Sequence, residues 1–453
     1  MDLHLDLSNV SGGSMRGRLE RALREAVRSG RLAPGARLPS TRALCAQLGV
    51  SRGVVVDAYS QLAAEGYLQA RRGGGTSVAS AAMSAAPSTT SVTPADVVRH
   101  DLNPHRPALD GFPRVAWLSA LTRVLRNVPD ERLGYPDPAG TLELRASLAA
   151  YLGRVRGVRC TPKQVVITGG TRQGVELVWS ALAAGGASDV AIERPGWRGI
   201  SETAADEGLR TVPIPVDEHG LIVERLWRQQ ADAVALAPAH QYPTGAVLSA
   251  ARRVALVEWA RTRGALIVED DYDAEYRYDR QPIGSLQGLA PEHVVYAGST
   301  SKTLAPAIRL GWLVLPRSLA EQVAVRQGRR GGMPSPLNQL ALSDLIERGE
   351  LDRHLRRQRR RYARRREVLL DELACKLPEA SVSGAAAGLY VFVRLPDGVS
   401  ETATLAAARS RGIAIEGAGG SSPALVAGYA NLPDAAVAPA VEALAASVQE
   451  ARN

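Results

Sequence analysis

Five short apolar stretches between residues 101 and 453 each end in polar or glycine-rich residues. They read VVITGG (165–170), DVAIERPGW (189–197), AVALAPAHQYPTG (233–245), ALIVEDDYD (265–273) and HVVYAGSTSK (293–302). Helical patterns separate them, which predicts an α/β fold with a mainly parallel central sheet covered by helices. Because ligands bind at the carboxyl ends of the strands in such sheets, we expect these ends to converge on one pocket.

The chain has only three lysines among its 55 basic residues, and one of them follows such a strand end. Lys302 comes directly after a hydroxyl-rich turn, seven residues before Arg309. Lys163 precedes a strand and Lys376 closes an arginine-rich helix, so neither is predicted to face the pocket. A lone lysine is usually a solvated surface residue, and only its position at a strand end favours a chemical role for Lys302.

One part of the predicted pocket suits a phosphate group. GGTRQG (169–174) is a glycine turn that opens a helix, where backbone amides can bind an anion. Two serines after another strand offer hydroxyls, and an arginine offers a fixed, bidentate cation. The candidate phosphate-binding groups are therefore the GGTRQG turn, Ser299, Ser301 and Arg309.

The other groups add a carboxylate, an aromatic face and a primary amine, from Asp270, Trp197 and Lys302. Taken singly, each has a plainer explanation: Asp270 as a strand-end cap, Trp197 as packing, and GGTRQG as an ordinary helix start. Their placement on successive strand ends favours pyridoxal 5′-phosphate (PLP). The amine can condense with the cofactor aldehyde, and the carboxylate can pair with the pyridinium nitrogen.

This part of the chain resembles the fold-type I aminotransferases from GFPRVAW and LGYPDPAGTLELRASLAAYL through PAHQYPTG, VEDDYD and STSKTLAPAIRLGW. The resemblance implies that Lys302 is the Schiff-base lysine, that Asp270 contacts the pyridine nitrogen and that Tyr272 lies near the 3′-oxygen. It also implies that Trp197 stacks on the ring and that Tyr135 reaches the phosphate of the partner subunit. The remaining candidate cofactor-binding residues are Gly170, Thr171, Arg172, Ser299, Ser301, Arg309 and Tyr242.

Two positions depart from the aminotransferase pattern. Tyr242 stands where many aminotransferases carry an asparagine before PTG. In the C-terminal stretch ALVAGYANLP, Val426 stands where they usually carry an arginine that grips the substrate carboxylate. Loss of such a charge-assisted clamp removes about 2–4 kcal/mol of substrate positioning.

The first 80 residues predict a DNA-binding module. They hold 11 arginines and six acidic residues, and so more than half of the net charge of +9. Ser40 and Ser51 are placed to cap two short helices joined by GVS, the pattern of a helix-turn-helix, and a glycine turn between two strands predicts a wing. A packing module with solvated arginines is the alternative. The candidate DNA-binding residues are Arg42, Ser51, Arg52, Gly53, Arg71 and Arg72.

The run GRLAPGARLPSTRALCAQLGVSRGVVVDAYSQLAAEGYLQARRGGGTSVA resembles the winged helix of GntR-type regulators. A GntR-like head joined to an aminotransferase-like body is similar to one family, the MocR (GabR-type) regulators. We therefore expect a winged helix-turn-helix in residues 1–78, a flexible linker in 79–100 and a PLP-binding effector domain in 101–453. The resemblance implies a homodimer that binds promoter DNA and senses PLP or a PLP–amine adduct. It also implies control of vitamin B6 or amino-compound metabolism.

Two other functions are also compatible with the sequence. One is a true PLP-dependent aminotransferase with an accessory DNA-binding head, and the other is a DNA-binding protein with an inactive body. The complete set of Lys302, Asp270 and Arg309 weakens the second, and Val426 weakens the first. Little or no turnover is the expectation.

Composition adds bounds on location and metal content. The N-terminus has no basic region of the secretory kind, and the three cysteines lie far apart without metal-binding spacing. We therefore expect a cytoplasmic, nucleoid-associated protein without a metal site.

Overall fold

A computed structural model describes residues 14–71, 75–79, 98–279, 283–420 and 422–452. By its internal contacts the chain divides into two compact units, Met1–Ala95 and Asp96–Asn453. The predicted linker, residues 79–100, lies mostly outside the described residues. Of its ends, Ala79 closes the head and His100 begins a strand of the second unit. The three-part division of the chain stays a prediction.

The described part of the first unit consists of three helices and a two-stranded hairpin. They are α1 (Met15–Arg28), α2 (Thr41–Leu48), α3 (Arg52–Ala64), β1 (Leu68–Arg71) and β2 (Gly75–Val78). The helices pack around a small core that includes Leu19, Leu44, Val55 and Leu62, all close to fully buried. This is the predicted winged helix-turn-helix.

The turn between α2 and α3 follows the sequence prediction with one difference. The Ser40 hydroxyl caps α2 by accepting a hydrogen bond from the Ala43 amide at 3.2 Å. Gly49 then takes a left-handed conformation (φ 65°), which a residue with a side chain adopts only at a cost. Ser51 occupies the N-cap position of α3, but its side chain makes no capping hydrogen bond.

The second unit alternates strands and helices. Its elements are β3 (His100–Asp101), α4 (Arg114–Asn127), α5 (Leu142–Arg156), β4 (Val165–Thr168), α6 (Thr171–Ala184), β5 (Asp189–Arg194), α7 (Arg198–Asp206), β6 (Arg210–Asp217), β7 (Gly220–Leu221), α8 (Val223–Leu226), β8 (Ala233–Leu236), α9 (Ala250–Arg263), β9 (Leu266–Asp270), β10 (Val294–Ser299), α10 (Thr300–Thr303), β11 (Gly311–Val314), α11 (Arg317–Arg330), α12 (Pro336–Glu347), α13 (Glu350–Lys376), β12 (Ser381–Ser383), β13 (Tyr390–Arg394), α14 (Glu401–Ser410), β14 (Ile413–Ala414), β15 (Glu416–Gly417), β16 (Ala424–Gly428) and α15 (Val437–Glu450). Short 3₁₀ turns lie at Leu109–Gly111, Asp130–Leu133, Pro162–Gln164, Pro306–Ile308 and Asp434–Ala436.

The central sheet of this unit is mainly parallel, as the sequence predicts. Its strand order is β4-β11-β10-β9-β8-β5-β6-β7 over the described residues. The pairs among β10, β9, β8, β5 and β6 are parallel, whereas β11 and β7 run antiparallel to their neighbours. All five apolar stretches singled out in the sequence form strands of this sheet, namely β4, β5, β8, β9 and β10.

A smaller antiparallel sheet, in the order β12-β13-β16-β15, is formed by the C-terminal part of the chain. Val426 lies in the middle of β16 and is fully buried, with Phe392 on one side and Glu416 on the other as its Cα partners. A separate two-stranded pairing joins β14 to β3. No helix within the described ranges is long and apolar enough to cross a membrane.

Candidate functional site

A cavity of about 280 Å³ lies at the carboxyl ends of the central strands. The turns after β4, β5, β8, β9 and β10 all contribute to its wall, as expected for a parallel sheet. Its lining residues are His105, Gly170, Thr171, Arg172, Glu193, Trp197, Ile200, Ala237, Tyr242, Asp270, Tyr272, Ser299, Ser301, Lys302 and Arg309. Eleven predicted cofactor-binding residues are therefore brought together, and only Tyr135 is not among them.

The N-terminus of α6 and Arg309 form one end of the cavity. Gly170, the N-cap residue, has φ 130° and offers no side chain to cap the helix, so the first amides of α6 have no capping side chain. A Cβ at Gly170 would lie 3.5 Å from Nη1 of Arg309, so the guanidinium rests against this turn. The Arg309 side chain has no hydrogen bond or ion pair within the described residues. Uncapped amides beside an unpaired guanidinium suit a phosphate group.

Asp270 ends β9 and is buried, yet its Oδ1 has no hydrogen-bond partner. Burial, with the nearby charges of Asp271 and Asp273, raises the pKa of Asp270 to about 7. Buried carboxylate oxygens normally accept a hydrogen bond. The unpaired Oδ1 of Asp270 therefore indicates that a ligand with a hydrogen-bond donor binds here. A protonated ring nitrogen would supply the missing donor.

Lys302 lies in α10, the short helix that follows β10. Its Nζ donates a hydrogen bond to the main-chain oxygen of His105. Burial lowers the pKa of Lys302 to about 8, although Asp273, Asp270 and Glu416 oppose the shift. The neutral amine that a nucleophilic lysine needs is therefore more available than on an ordinary surface lysine.

Trp197 lies at the N-cap position of α7 and borders the cavity with its partly buried indole. A Cβ at Gly199 would collide with the indole ring, so the glycine permits this ring position. The ring faces the same cavity as Asp270 and Lys302, which suits stacking on a planar ligand.

A network of buried rings lies on the side of Tyr272. The Tyr272 hydroxyl donates to the main-chain oxygen of His240 at 2.8 Å and lies 3.0 Å from the Tyr390 hydroxyl. The His240 ring stacks on Tyr390 with centroids 4.9 Å apart, and its Nδ1 lies 2.9 Å from Oδ2 of Asp273. The hydroxyl hydrogen of Tyr272 is thus already donated to a protein oxygen. Its contact with a cofactor oxygen stays a prediction.

Tyr242 lines the cavity and donates its hydroxyl hydrogen to Oε2 of Glu416 at 2.8 Å. His105 Nε2 lies 3.0 Å from the same oxygen, and the two rings are 5.1 Å apart. Tyr242 therefore connects the cavity to the small antiparallel sheet, a contact that the sequence does not indicate.

The residues present fit PLP. Arg309 and the start of α6 would hold the phosphate, Asp270 would accept a hydrogen bond from the ring nitrogen, and Lys302 would provide the amine for the aldehyde. The fit rests on three groups that lack protein partners in the described chain, namely Oδ1 of Asp270, the Arg309 guanidinium and the first amides of α6.

Tyr135 lies outside this cavity and its side chain is fully exposed. It borders a separate depression with Arg132, Thr141 and Arg145. Its predicted function concerns a second subunit, so the position of Tyr135 in one chain leaves that prediction open.

The head exposes four of the six residues predicted to bind DNA. Ser51, Arg52 and Gly53, at the start of α3, are exposed, and so is Arg42 on α2. Neither arginine side chain has a hydrogen bond or ion pair in the described part of the chain. By contrast, Arg24 forms a bidentate pair with Glu65 inside the head. The tip of the wing, including Arg72 and the side chain of Arg71, lies outside the described residues.

Three polar residues at the cavity were not predicted from the sequence. His105 and Glu193 line it, and Glu416 contacts two of its lining residues. Glu193 is the last residue but one of an apolar strand, which was a usable signal, and burial raises its pKa to about 8. His105 and Glu416 lie in irregular or very short elements more than 300 residues apart, and neither shows a spacing that predicts their contact.

Comparison with known proteins gives matches in both units. Residues 16–78 match the family described as bacterial regulatory proteins, gntR family, and residues 109–444 match aminotransferase class I and II. The HTH-type pyridoxine biosynthesis transcriptional regulator PdxR of Corynebacterium glutamicum is 33% identical over 407 residues, which is 86% of each chain. The probable rhizopine catabolism regulatory protein MocR of Rhizobium meliloti is 33% identical over 88% of this chain and 85% of its own.

Among solved structures, LysN, the α-aminoadipate aminotransferase of Thermus thermophilus, is similar to the second unit. It was solved in complex with N-(5′-phosphopyridoxyl)-L-leucine and has 26% sequence identity and a TM-score of 0.70. The match covers 78% of this chain and 92% of that one. The second unit therefore has the fold-type I aminotransferase fold.

Proposed function

We propose a function from the premise that this chain belongs to the MocR-type family of GntR transcription regulators. PLP, together with an amine bound next to the PLP, controls how strongly the protein occupies promoter DNA. The observation that carries this proposal is the contrast between the cavity and the small sheet beside it. Lys302, Asp270 and Arg309 line one cavity. In the small sheet next to it, the buried Val426 stands at the position of the usual carboxylate clamp, and its Cα partner Glu416 contacts the lining residues Tyr242 and His105. Such a cavity keeps a cofactor but holds amino-acid substrates poorly.

Bound PLP supplies an aldehyde that condenses with amines and a ring that withdraws electrons. The residues of this chain hold and orient it. Arg309 and the α6 amides would bind the phosphate, Trp197 would cover one ring face, and Asp270 would accept a hydrogen bond from the protonated ring nitrogen. Lys302 would provide the amine for the aldehyde, because its lowered pKa leaves it partly neutral near pH 8.

The head binds DNA through the start of α3. In a helix-turn-helix, the N-terminal residues of the recognition helix, here α3, face the major groove. Arg52 and Arg42 have no partner in the described part of the chain and can contact bases or phosphates. Burial of Leu44 and Val55 fixes the angle between α2 and α3, so these arginines are presented by a rigid support.

The signal is a change in ligand state that favours one arrangement of the heads on DNA. A ligand shifts such an equilibrium only through different affinities for the two arrangements. The relative named for pyridoxine biosynthesis supports vitamin B6 supply as the controlled process, and the relative named for rhizopine catabolism supports amino-compound metabolism. We favour vitamin B6 supply, because Lys302, Asp270 and Arg309 line one cavity whereas Val426 replaces the usual carboxylate clamp.

We also propose that the regulator is a cytoplasmic, nucleoid-associated homodimer. Tyr135 is exposed in the single chain and has the chemistry to donate a hydrogen bond to a phosphate in a second subunit. Paired heads would read two half-sites on one face of the duplex.

A paired measurement tests the function. Full-length protein is assayed for steady-state transamination with a panel of amino donors, and for binding to its own upstream promoter with and without PLP. We expect promoter affinity to change with PLP and turnover to stay far below 1 per second, an ordinary enzyme rate being about 1 per second or faster. Turnover at that rate, together with DNA binding indifferent to PLP and amines, would contradict the proposal.

A second candidate is a PLP-dependent aminotransferase with an accessory DNA-binding head. It is favoured by the complete set of Lys302, Asp270 and Arg309 and by the similarity to LysN. Substitution Val426→Arg provides a further comparison, because an arginine there would restore the clamp seen in aminotransferases. Turnover that rises only in Val426→Arg would support the regulator, since the natural chain would then lack one specific catalytic requirement.

A further inference from the structure

Glu416 is held at the edge of the cavity by two of its lining residues. The Tyr242 hydroxyl donates to Oε2 of Glu416 at 2.8 Å, and Nε2 of His105 lies 3.0 Å from the same oxygen. Both contacts use one oxygen, and no hydrogen bond to Oε1 occurs within the described residues. The Glu416 side chain is 38% exposed, so Oε1 is open to a ligand that donates a hydrogen bond.

This carboxylate is charged at neutral pH. Partial burial opposes ionisation, but hydrogen bonds from His105 and Tyr242 and the charge of Lys302 keep the pKa of Glu416 below its usual value. The edge of the cavity therefore carries a fixed negative charge.

Glu416 lies near the amine of Lys302. It belongs to a different sheet from the residues predicted to bind the phosphate. His105 contacts both, because its main-chain oxygen accepts from Nζ of Lys302 and its ring contacts Glu416. One residue thus spans the gap between amine and carboxylate. Arg309 and Gly170 belong to turns of the central sheet, whereas Glu416 belongs to β15 of the small sheet.

The hairpin that carries Glu416 has no positive charge. Its sequence, EGAGGSSPALVAG (416–428), contains no basic residue. Val426, the Cα partner of Glu416, is apolar and fully buried. Where an aminotransferase would present a cation to a substrate carboxylate, this strand pair presents the carboxylate of Glu416 at the edge of the cavity.

We propose that Glu416 is the specificity-determining residue of an anionic subsite that receives a second ammonium group of the effector. The effector is then a short diamine, or another amine with a positive group at its far end, and not an amino acid. One end lies beside PLP and Lys302, and the other donates to Oε1 of Glu416. This rests on the proposed function, in which an amine bound with PLP is the signal.

Arg198 is the cation that would support the opposite preference. It begins α7 and is exposed, and its Nη2 lies 3.9 Å from the position that a Cβ on Gly419 would take. A carboxylate-bearing effector that reaches the Glu416 strand pair could be held there. The test therefore includes Arg198 as well as Glu416.

The experiment titrates PLP-loaded full-length protein with three amines and follows the absorbance of the bound cofactor. Putrescine, butylamine and γ-aminobutyrate share one amine and have similar lengths, but end in ammonium, methyl and carboxylate respectively. A charge-assisted contact of this kind predicts that putrescine binds about tenfold or more tightly than either of the others. Glu416→Gln should bring the putrescine-to-butylamine ratio close to one. Glu292→Gln, which removes an exposed carboxylate on the loop before β10, should preserve it.

Three results would overturn the subsite. They are equal affinities for putrescine and butylamine in the natural chain, a putrescine advantage that survives Glu416→Gln, and a preference for γ-aminobutyrate that Arg198→Ala abolishes. Failure of every amine to change the absorbance would overturn it too. These readouts use no DNA, so an amine preference without any change in promoter occupancy would instead contradict the proposed function.

Discussion

Arg156 donates from Nε to Oδ2 of Asp271 at 2.7 Å, and both side chains are buried. Arg156 also bonds the main-chain oxygen of Ile283. Asp270, the next residue in the chain toward the N-terminus, has no such partner. Two neighbouring aspartates are therefore separated by role: Asp271 anchors the loop after β9, and Asp270 is left for a ligand.

The first prediction concerns this buried pair. Arg156→Leu should lower the free energy of unfolding by about 3–5 kcal/mol, because it leaves the Asp271 carboxylate buried without a cation. Arg154→Ala is the matched control from the same helix, since its pair with Asp352 is 58% exposed on the arginine side and is worth about 0–1 kcal/mol. Chemical unfolding followed by tryptophan fluorescence compares the two variants. Equal losses in both would show that the Arg156 pair is not special.

The second prediction concerns cofactor attachment. Borohydride reduction of the PLP-loaded protein should fix the cofactor to Lys302, and Lys302→Ala should abolish this labelling. Lys163→Arg and Lys376→Arg, both at exposed positions, should leave it intact. Since the pKa of Lys302 is lowered to about 8, the rate of loading should rise with pH up to about 8 and level off above it. Peptide mapping that finds the label on Lys163 or Lys376 would show that the cavity is wrongly assigned.

The third prediction uses the orphaned carboxylate. In the apoprotein, Asp270→Asn should raise the thermal midpoint, because it removes a buried carboxylate that lacks a partner. The folded-state pKa of about 7 lies above the unfolded value near 3.8, so the natural apoprotein loses stability as pH rises between these values. The difference in thermal midpoint between Asp270→Asn and the natural chain should therefore grow from pH 5 to about pH 7 and then stay constant.

Added PLP should reverse the order of the thermal midpoints of the natural chain and Asp270→Asn. It should stabilise the natural chain more than Asp270→Asn, because only the carboxylate can pair with a protonated ring nitrogen. Asp397→Asn, at an exposed position, should change neither midpoint. Scanning fluorimetry across pH with and without PLP measures all three proteins. An apoprotein advantage independent of pH would mean that Asp270 is ionised throughout.

The fourth prediction concerns DNA. Arg52→Ala should weaken binding to the cognate promoter by about 1–3 kcal/mol, because Arg52 is exposed at the start of the recognition helix without a protein partner in the described part of the chain. Arg16→Ala should have a smaller effect, since Arg16 already pairs with Glu20 on α1. Fluorescence anisotropy at several salt concentrations should give a slope of roughly −0.9 per phosphate neutralised. Affinity unchanged by Arg52→Ala and by salt would remove the head from recognition.

The fifth prediction concerns Tyr135 and a second subunit. Tyr135→Ala should weaken PLP binding, although Tyr135 lies outside the cavity of its own chain. Co-expression of Tyr135→Ala with Lys302→Ala chains should restore one intact site in each mixed dimer, because Lys302 and Tyr135 then come from different chains. The measurement is borohydride labelling of purified mixed dimers, with each single-variant dimer as control. Labelling no greater than the controls would show that Tyr135 does not cross over.

The architecture of both units and most residues that line the cavity could be predicted from the sequence. Apolar strands with polar ends imply a parallel sheet, and such a sheet brings its strand ends together, so Gly170, Asp270 and Lys302 could be grouped before any contact was known. In the head, Ser40 and Gly49 are local signals, since capping and left-handed turns depend on a few adjacent residues. The missing capping bond of Ser51 shows the limit of such signals, because position alone does not fix a side-chain rotamer.

The partners of these groups depend on tertiary packing and could not be predicted. It placed Arg156 on Asp271 and not on Asp270, and it brought His105 and Glu416 together from positions 311 residues apart. Such contacts depend on which surfaces the small sheet and the loops turn toward the cavity, and neither periodicity nor propensity encodes that choice. The strand ends could thus be predicted to form one pocket, whereas the sign of the charge at its edge follows from long-range packing, which alone brings Glu416 into reach of Tyr242.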